Sequence, residues 1–384
     1  MTSPGTASLE EGEASDRVLA FAHIGDLHLT DAKQQNFLDM LAIVAQIEAE
    51  CADRLDFVVL PGDNADNGLP AQYTLAATAL KMLSVPVHAI PADHDMEHGG
   101  LAAFHAGLAA DLLPKALTVR GSRCLFLDIC GPGGGGPDFR VGTEQATWFE
   151  RELHGARAGG QTSVVFMHNY PDDLKGEGET EALNRLVAAH DVALVDMGRT
   201  HYNELANDGR TVFAATRSTG QIEEGPVGYS IATLDGGVVS WRFKALADAF
   251  PFVVITAPAD HRLMRGAAQA VDDSCEVRAL VFGGRHIERV ECQADDGQWS
   301  LMTQANGRIW SGRLPIPGER LVTLMVRAVD ATGRPGQHTI RAATHAFVPP
   351  VRSQTGSDAA SIGAWPENGI PGTQLGPNRN AKPK

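Results

Sequence analysis

The sequence has few cysteines and no long apolar run, and each absence argues against a class of protein. Its 384 residues contain only five cysteines, so we expect reduced thiols and no disulfide framework. Cys275 and Cys292 could nevertheless pair in an oxidising compartment. No apolar run reaches the roughly 18 residues of a transmembrane helix. The N-terminal residues lack the basic and apolar regions of a secretory signal, which predicts a cytoplasmic protein that does not engage a membrane.

Basic residues are also scarce. There are 32 Lys and Arg residues against 47 Asp and Glu residues, and the net charge is −15. Such a chain is poorly suited to a nucleic-acid polymer or an anionic membrane surface, because both are bound mainly through positive charge. An anionic small substrate would need local positive charge, supplied by a metal ion or by a few arginines.

Residues 1–16 are polar and are expected to be disordered. Residues 17–248 alternate between short β-branched runs, such as "DFVVLPGD" and "TSVVFMHN", and helical patterns such as "NFLDMLAIVAQIEAEC" and "TEQATWFERELHGAR". In the first helical pattern the apolar residues recur at the spacing of one helix face. This alternation predicts an α/β layered domain over residues 17–248.

The helical period disappears after residue 250. Residues 251–348 carry short strand patterns between turn signals such as "DDGQW" and "DATGRPG", which predicts a β-sandwich of about 100 residues, similar in size to immunoglobulin or fibronectin type III modules. This domain is a candidate surface for forming a homo-oligomer. Residues 349–384 are rich in Gly, Pro, Asn and Ser and are expected to be disordered.

Polar side chains follow the ends of five successive predicted strands of the first domain. Each taken alone is an ordinary cap, turn or core residue. In an α/β sheet, however, side chains at strand C-termini converge on one crevice. Carboxylates and imidazoles gathered there would repel one another or lack hydrogen-bond partners unless cations were bound. Oxygen and nitrogen donors without thiolate favour Mn, Fe, Zn, Co or Mg. More than four ligands suggest two ions that share a carboxylate. The residues are Asp26, His28, Asp63, Asp93, His94, His168, Arg199 and His201.

The stretches that contain them, "GDLH", "GDNAD", "ADHD", "MHNYP" and "GRTH", resemble in order and spacing the motifs of calcineurin-like metallophosphoesterases. The opening "FAHIGDLHL" is most similar to bacterial cyclic-nucleotide phosphodiesterase-like members. The resemblance implies a layered α-β-β-α domain, one or two divalent metal ions, and in-line attack of a metal-activated hydroxide on phosphorus. It also implies a small phosphorylated substrate; a phosphodiester is favoured, and a phosphomonoester is the alternative.

The resemblance also implies a role for each motif residue. Asp26, His28 and His201 would bind the first metal, and Asp63 would bridge to the second. The second metal would take Asp63, His168 and the residues at positions 93 and 199. His94 would lie near the leaving group, where it would stabilise the transition state or donate a proton.

Two positions depart from the family pattern, and both belong to the second metal. Asp93 stands where Asn is usual, and Arg199 stands where His is usual. A carboxylate is a competent ligand, but a guanidinium has no acceptor atom and cannot coordinate a cation. Three explanations are open: Arg199 pairs with Asp93 and one metal is kept, Arg199 binds a substrate phosphoryl oxygen in catalysis, or the site is impaired and the protein is a binding scaffold.

Three more residues are candidates for substrate contact. Tyr202 and Asn203 follow His201 directly, where they could contact substrate or simply form a polar turn. Arg217 follows a predicted strand on a glycine-bounded loop, where it could contact phosphate or serve as a structural arginine.

Overall fold

Two mixed β-sheets in the first part of the chain form the framework of the molecule. The computed structural model describes residues 17–130, 139–304, 307–316, 318, 320–347 and 360–371. The five-stranded sheet has the order β11-β10-β1-β2-β3 and the six-stranded sheet the order β4-β5-β6-β7-β9-β8. Their strands are β1 (Leu19–His23), β2 (Phe57–Leu60), β3 (Val87–Ala89), β4 (Lys115–Val119), β5 (Ser122–Phe126), β6 (Ser163–Phe166), β7 (Val192–Met197), β8 (Glu204–Asn207), β9 (Val212–Ala215), β10 (Gly228–Asp235) and β11 (Val238–Ala245).

Helices cover the outer face of each sheet. They are α1 (Gln35–Glu50), α2 (Pro70–Leu80), α3 (Ala102–Leu108), α4 (Thr143–Ala158) and α5 (Glu179–Ala189). Successive side chains of a strand point to opposite faces, so β1 places Leu19 and Phe21 in the core between the sheets and Ala20 and Ala22 in the core beneath α1. A further apolar cluster joins α4 and α5 to the six-stranded sheet. The predicted α-β-β-α layering follows from these three cores.

The second part of the chain is all-β, as predicted. Its two four-stranded antiparallel sheets have the orders β12-β13-β17-β16 and β15-β14-β18-β19, and they enclose a fourth core made of alternating strand residues. The strands are β12 (Phe252–Ala257), β13 (Ser274–Phe282), β14 (Ile287–Ala294), β15 (Ser300–Leu301), β16 (Thr303–Gln304), β17 (Ile309–Pro315), β18 (Leu321–Asp330) and β19 (Pro335–Ala343). An immunoglobulin or fibronectin type III identity, the exact domain boundaries, and an oligomer formed through these sheets all stay predictions.

The prediction of a disordered C-terminal tail is wrong for residues 360–371. This segment includes a short helix at Pro366–Asn368, and its Trp365 and Ile370 are buried in the core between the first two sheets. The composition of the tail is polar, but these few apolar anchors are enough to dock it. Residues 1–16, 348–359 and 372–384 lie outside the described residues. In the described part of the chain, no helix is both long and apolar enough to cross a bilayer.

Candidate metal centre

The polar residues of the five motifs meet where the carboxyl ends of the two sheets come together. Asp26 and His28 follow β1, Asp63 follows β2, and both strands belong to the five-stranded sheet. His168 follows β6, and the loop 198–203 after β7 carries Arg199 and His201. Strands of both sheets are parallel to their neighbours here, so their ends lie at one edge and bring these side chains to one place.

Asp63 is shared by two groups of side chains that could hold a metal ion. His28, Asp63 and His201 form one group and Asp26, Asp63 and His168 the other, with the ligand atoms of each group within 4.8 Å of one another. In the first group the Nε2 atoms of His28 and His201 are 3.2 Å apart, and Asp63 Oδ2 lies 3.7 Å from His28 Nε2. In the second group Asp63 Oδ2 lies 3.5 Å from His168 Nε2. Asp63 is therefore the carboxylate that the two groups have in common, and its bridging role stays a prediction.

The backbone is bent sharply at this centre. His28, Asp63, Arg199 and His201 have φ values of 41°, 50°, 66° and 62°, a region that non-glycine residues rarely adopt and that is common at functional sites. Gly198 is required for a different reason, because a Cβ there would lie 2.6 Å from Asp26 Oδ1. The turn of chain that carries Arg199 and His201 can thus approach the Asp26 carboxylate only through a glycine.

The donor atoms of His168 fit a bound cation. Its Nδ1 donates to the carbonyl oxygen of Pro61 at 3.0 Å, so Nε2 is the atom that carries the lone pair whenever the ring is neutral. That Nε2 is buried, has no hydrogen-bond partner among the residues that the structure describes, and lies 3.5 Å from Asp63 and 3.6 Å from Asp93. An orphaned imidazole nitrogen that faces two carboxylates is the environment of a metal ligand.

The protonation tendencies of the centre agree with this interpretation. Burial, together with the neighbouring His201, His94 and His168 side chains, outweighs Asp63 and lowers the pKa of His28 to about 3, so the His28 imidazole is neutral and able to coordinate. Burial also opposes the charged form of His168, but the neighbouring Asp63, Asp93 and Asp26 carboxylates outweigh it and raise the His168 pKa well above its usual value. A cation at this place would replace the proton that these carboxylates otherwise retain.

Arg199 does not reach toward a metal position as a ligand; it pairs with Asp93. Its Nη1 donates to both carboxylate oxygens of Asp93, at 3.0 and 3.1 Å, and its guanidinium carbon lies 4.4 Å from the centre of the Phe139 ring. Its backbone N–H donates to both oxygens of Asp26, each at 3.1 Å. Burial raises the pKa of Asp93, but His168 and Arg199 outweigh it and hold that pKa well below the usual range.

His94 lies at the mouth of the centre, with its side chain 24 % exposed. Its ring meets the His28 ring edge to face at 4.7 Å between centroids, and its Nδ1 is 2.5 Å from the Asp66 carbonyl oxygen and 3.2 Å from the Glu97 carboxylate. Burial lowers the pKa of His94, but Asp63, the Asp66 carbonyl, Asp93 and Glu97 raise it above its usual value overall. This favours the proton-donating form.

For two of the three candidate substrate contacts, the structure supports the structural alternative. Arg217 is buried and donates to the carbonyl oxygens of Glu224, Pro226 and Gly369, so its guanidinium is used inside the structure. Asn203 is buried as well, and it donates to Gly369 and accepts from the Arg217 backbone N–H. Both residues are structural because their polar groups are committed to distant backbone. Tyr202 is partly exposed beside His201 and stays a prediction.

Two acidic residues of the motifs were missed as site residues. Asp66 lies with Oδ1 3.9 Å from His28 Nδ1, and with His28 and His94 it forms a third group of close ligand atoms. Asp95 is buried and accepts from the backbone of Asn64, Ala65 and Ala92 and from the Tyr73 hydroxyl. Both belong to "GDNAD" and "ADHD", so the motifs themselves contained the signal.

Comparison with known proteins points to the same family as the motifs. The sequence model of the calcineurin-like phosphoesterases matches residues 19–202. Two bacterial relatives are 28 % identical: the glycerophosphodiester phosphodiesterase GpdQ of Enterobacter lignolyticus over 166 residues, 40 % of this chain and 57 % of that protein, and a probable cyclic nucleotide phosphodiesterase of Fibrobacter succinogenes over 165 residues, 40 % and 58 %. The chain therefore matches less than two thirds of the length of these relatives.

Among solved structures, similarity extends to GAP50 of Plasmodium, with a TM-score of 0.47 and 16 % identity over 61 % of this chain and 86 % of that one. It extends also to a dimetal phosphatase from Danio rerio, with a TM-score of 0.42 and 14 % identity over 60 % and 97 % of the two chains.

Proposed function

We propose, from the match of residues 19–202 to the calcineurin-like phosphoesterases, that the protein is a metal-dependent phosphodiesterase with one resident metal ion. In this proposal the ion is held by Asp26, His28, Asp63 and His201, and the Arg199 guanidinium provides fixed positive charge where relatives place a second ion. The observation that carries the proposal is the contact of Arg199 with both oxygens of Asp93 beside the close group of His28, Asp63 and His201.

The first ligand set has the right chemistry for one hard or borderline cation. It combines two carboxylates with two imidazoles, of which His28 is kept neutral by burial. Asp63, the carboxylate shared by both ligand groups, is held deprotonated because His168 outweighs the effect of its burial and lowers its pKa. A divalent ion bound there would polarise the phosphoryl group and activate the attacking water.

The second half of the centre is less suited to a cation. Asp26, Asp63 and His168 are close enough to surround one, but Asp93 is already paired, and the Arg199 charge stands where the additional imidazole ligand would be. A guanidinium stays protonated and repels a neighbouring cation. The Arg199–Asp93 pair is charge-balanced, and one divalent ion plus Arg199 supplies three of the four positive charges that two divalent ions would supply.

Arg199 and His94 are assigned separate parts in the reaction. Among the described residues, the guanidinium hydrogen bonds of Arg199 use only Nη1, so Nε and Nη2 are available to bind a phosphoryl oxygen in the geometry that suits an arginine. His94, with its raised pKa and partly exposed ring, donates a proton to the departing alkoxide.

A phosphodiester is proposed as the substrate class. This rests on the opening motif and on the printed names of the two bacterial relatives, a glycerophosphodiester phosphodiesterase and a probable cyclic nucleotide phosphodiesterase. A phosphomonoester is the alternative. A cytoplasmic location and the identity of the metal stay part of the proposal.

The test compares hydrolysis of bis(p-nitrophenyl) phosphate and p-nitrophenyl phosphate, with metal-free protein and after addition of Mn²⁺, Fe²⁺, Zn²⁺ or Mg²⁺. We expect metal-dependent turnover of the diester that exceeds that of the monoester, and a loss of roughly 100-fold or more in His201→Gln, because a first ligand is removed. The matched control is His286→Gln, an exposed histidine of the all-β part, which should keep full activity. Bound metal without turnover of either ester would instead favour a binding scaffold.

A further inference from the structure

The C-terminal segment that was expected to be disordered docks beside the metal centre. We call residues 360–371 the C-terminal strap. It lies against the outer edge of the six-stranded sheet, since β8 is the last strand of that sheet. The Asn207 N–H donates to the Ala360 carbonyl at 2.7 Å, the Ile362 N–H donates to the Leu205 carbonyl at 3.1 Å, and Ala206 bridges to Ser361. The strap thus pairs the backbone edge that β8 would otherwise expose.

One carbonyl of the strap reaches inward. Gly369 O accepts from Asn203 Nδ2 at 2.7 Å and from Arg217 Nη2 at 2.9 Å. Asn203 Oδ1 in turn accepts from the Arg217 backbone N–H at 2.9 Å. Gly369 has a φ of 87°, and a Cβ there would lie 2.4 Å from the Phe243 Cβ, so this close approach requires glycine.

These contacts act on the loop that carries Arg199 and His201. The start of the loop is fixed by the Gly198 N–H, which donates to the His168 carbonyl at 3.0 Å, and by the Arg199 N–H on Asp26. The end of the loop is fixed by Asn203, whose amide group is bound by Gly369 and by the backbone of Arg217. The strap therefore holds the end of the loop at a point two residues after His201.

The same contacts support a second loop at the centre. Arg217 is followed by Ser218, whose hydroxyl donates to the Asp26 carbonyl at 2.8 Å, and the Gly220 N–H donates to the same oxygen at 3.0 Å. Arg217 is thus bound to the strap at its guanidinium and lies one residue from a contact with the backbone of a metal-site residue. Both loops that border Asp26 are tied to the strap through Asn203 and Arg217.

The anchors of the strap are separate from these inward contacts. Trp365 and Ile370 are buried in the core between the sheets, the Arg262 guanidinium lies 3.6 Å from the centre of the Trp365 ring, and Asn368 donates to the Trp241 carbonyl. Asn203 and Asn368 are therefore two buried asparagines that fix the same segment, of which only Asn203 belongs to the metal-site loop.

We infer that the C-terminal strap positions the loop 198–203, with Asn203 and Gly369 as positioning residues for His201 and Arg199. Part of this inference rests on the proposed metal function, because the positioned groups are the ligand and the guanidinium assigned to it. The strap makes the geometry of the centre depend on residues far beyond the matched segment 19–202. Asn203 and Gly369 are 166 positions apart in the sequence.

The test compares Asn203→Ala with Asn368→Ala in the full chain. Both variants remove one buried amide that fixes the strap, and both are expected to lower the Tm. Only Asn203→Ala should weaken binding of Mn²⁺ or Zn²⁺, by about tenfold, which corresponds to about 1.4 kcal/mol. Metal affinities that fall equally in the two variants, or that change in neither, would overturn the inference.

A second measurement needs no metal. In EDTA, amide hydrogen exchange of peptides that cover residues 198–203 should speed up in Asn203→Ala and stay unchanged in Asn368→Ala. If the unmodified protein binds no metal, the proposed function fails while the exchange rates still decide the role of the strap; equal exchange in both variants would overturn it. If Asn203→Ala does not fold, Asn203→Ser replaces it in both measurements. A second replacement is to insert a protease site within residues 351–359, cleave the folded protein there and remove the strap before the measurement.

Discussion

Arg199 and Asp93 provide the sharpest test of how the second half of the centre is built. If the two side chains form a true ion pair, their contributions to folding stability are not additive. The perturbation is a double-mutant cycle of Arg199→Met, Asp93→Asn and the double variant. Methionine keeps most of the aliphatic length against Phe139, and asparagine keeps the shape of Asp93 while it removes the charge.

The magnitude follows from the exposure and the geometry of the pair. The two side chains are 33 % and 23 % exposed, so the pair lies between an exposed ion pair, worth about 0–1 kcal/mol, and a buried one, whose disruption costs about 3–5 kcal/mol. The contact uses one guanidinium nitrogen across both oxygens, and His168 lies 3.6 Å from Asp93 and continues to compensate it. We therefore expect a coupling free energy of about 1 kcal/mol.

The assay is urea denaturation at pH 7 in EDTA, at low salt and at 1 M salt. The coupling free energy should decrease at high salt, because screening reaches a partly exposed pair. Each single variant leaves one partner of the pair in place: Arg199→Met leaves the Asp93 carboxylate beside His168, and Asp93→Asn leaves the Arg199 guanidinium over Phe139. Additivity within about 0.3 kcal/mol at low salt would refute the ion pair.

Three further predictions concern the leaving-group residue, the acid stability and the strap. His94→Gln should lower kcat by about 100-fold or more with little change in KM, because a proton donor acts in the transition state; steady-state kinetics on the diester would contradict this if KM alone changed. His338 is buried, and burial together with Arg242 and Arg262 outweighs Asn368 and holds its pKa well below 6.5, so the unfolded chain takes up a proton there that the folded chain does not. The stability from this group is complete above pH 6.5 and falls by about 1.4 kcal/mol per pH unit below it. His338→Gln should therefore flatten the dependence of the unfolding free energy on pH between 6.5 and 5.5, and an unchanged slope would argue against it. Trp365→Ala should cost about 3–5 kcal/mol of stability, and a cost below about 1 kcal/mol would mean that the strap is not packed in solution.

Much of the framework could be predicted because its signals are local. The strands that end in Asp26, Asp63 and His168 are short buried runs followed directly by polar residues, and parallel strands bring such ends to one edge. The first metal group was therefore visible in the sequence as a set, although no single member identified it. The helices could be predicted from their apolar period, which places Phe37 and Val44 on the buried face of α1.

The failures concern contacts between positions that are far apart in the chain. The sequence left Asn203 and Arg217 open between substrate contact and a structural role, because it did not show that both bind the Gly369 carbonyl. The polar composition of the C-terminal segment concealed the apolar anchor Trp365, which is 3 % exposed. Composition averages over a segment, whereas docking needs only a few well-placed side chains.

The fate of Arg199 required the structure for another reason. The sequence alone could not choose among an ion pair with Asp93, a phosphate contact and an impaired site, because these alternatives differ only in where a flexible side chain points. The contact with Asp93 supports the first alternative. Within the described part of the chain the guanidinium bonds use only Nη1, so the second alternative is compatible with it.

The most direct test of the one-metal centre is the number of metal ions bound per chain, measured by mass spectrometry of protein equilibrated with Mn²⁺ and then freed of excess metal. The unmodified protein should bind one ion. Arg199→His should bind two, because the substitution removes the guanidinium charge and places an imidazole nitrogen with a free lone pair beside Asp63 and His168. Two ions in the unmodified protein, or one ion in both proteins, would contradict the account.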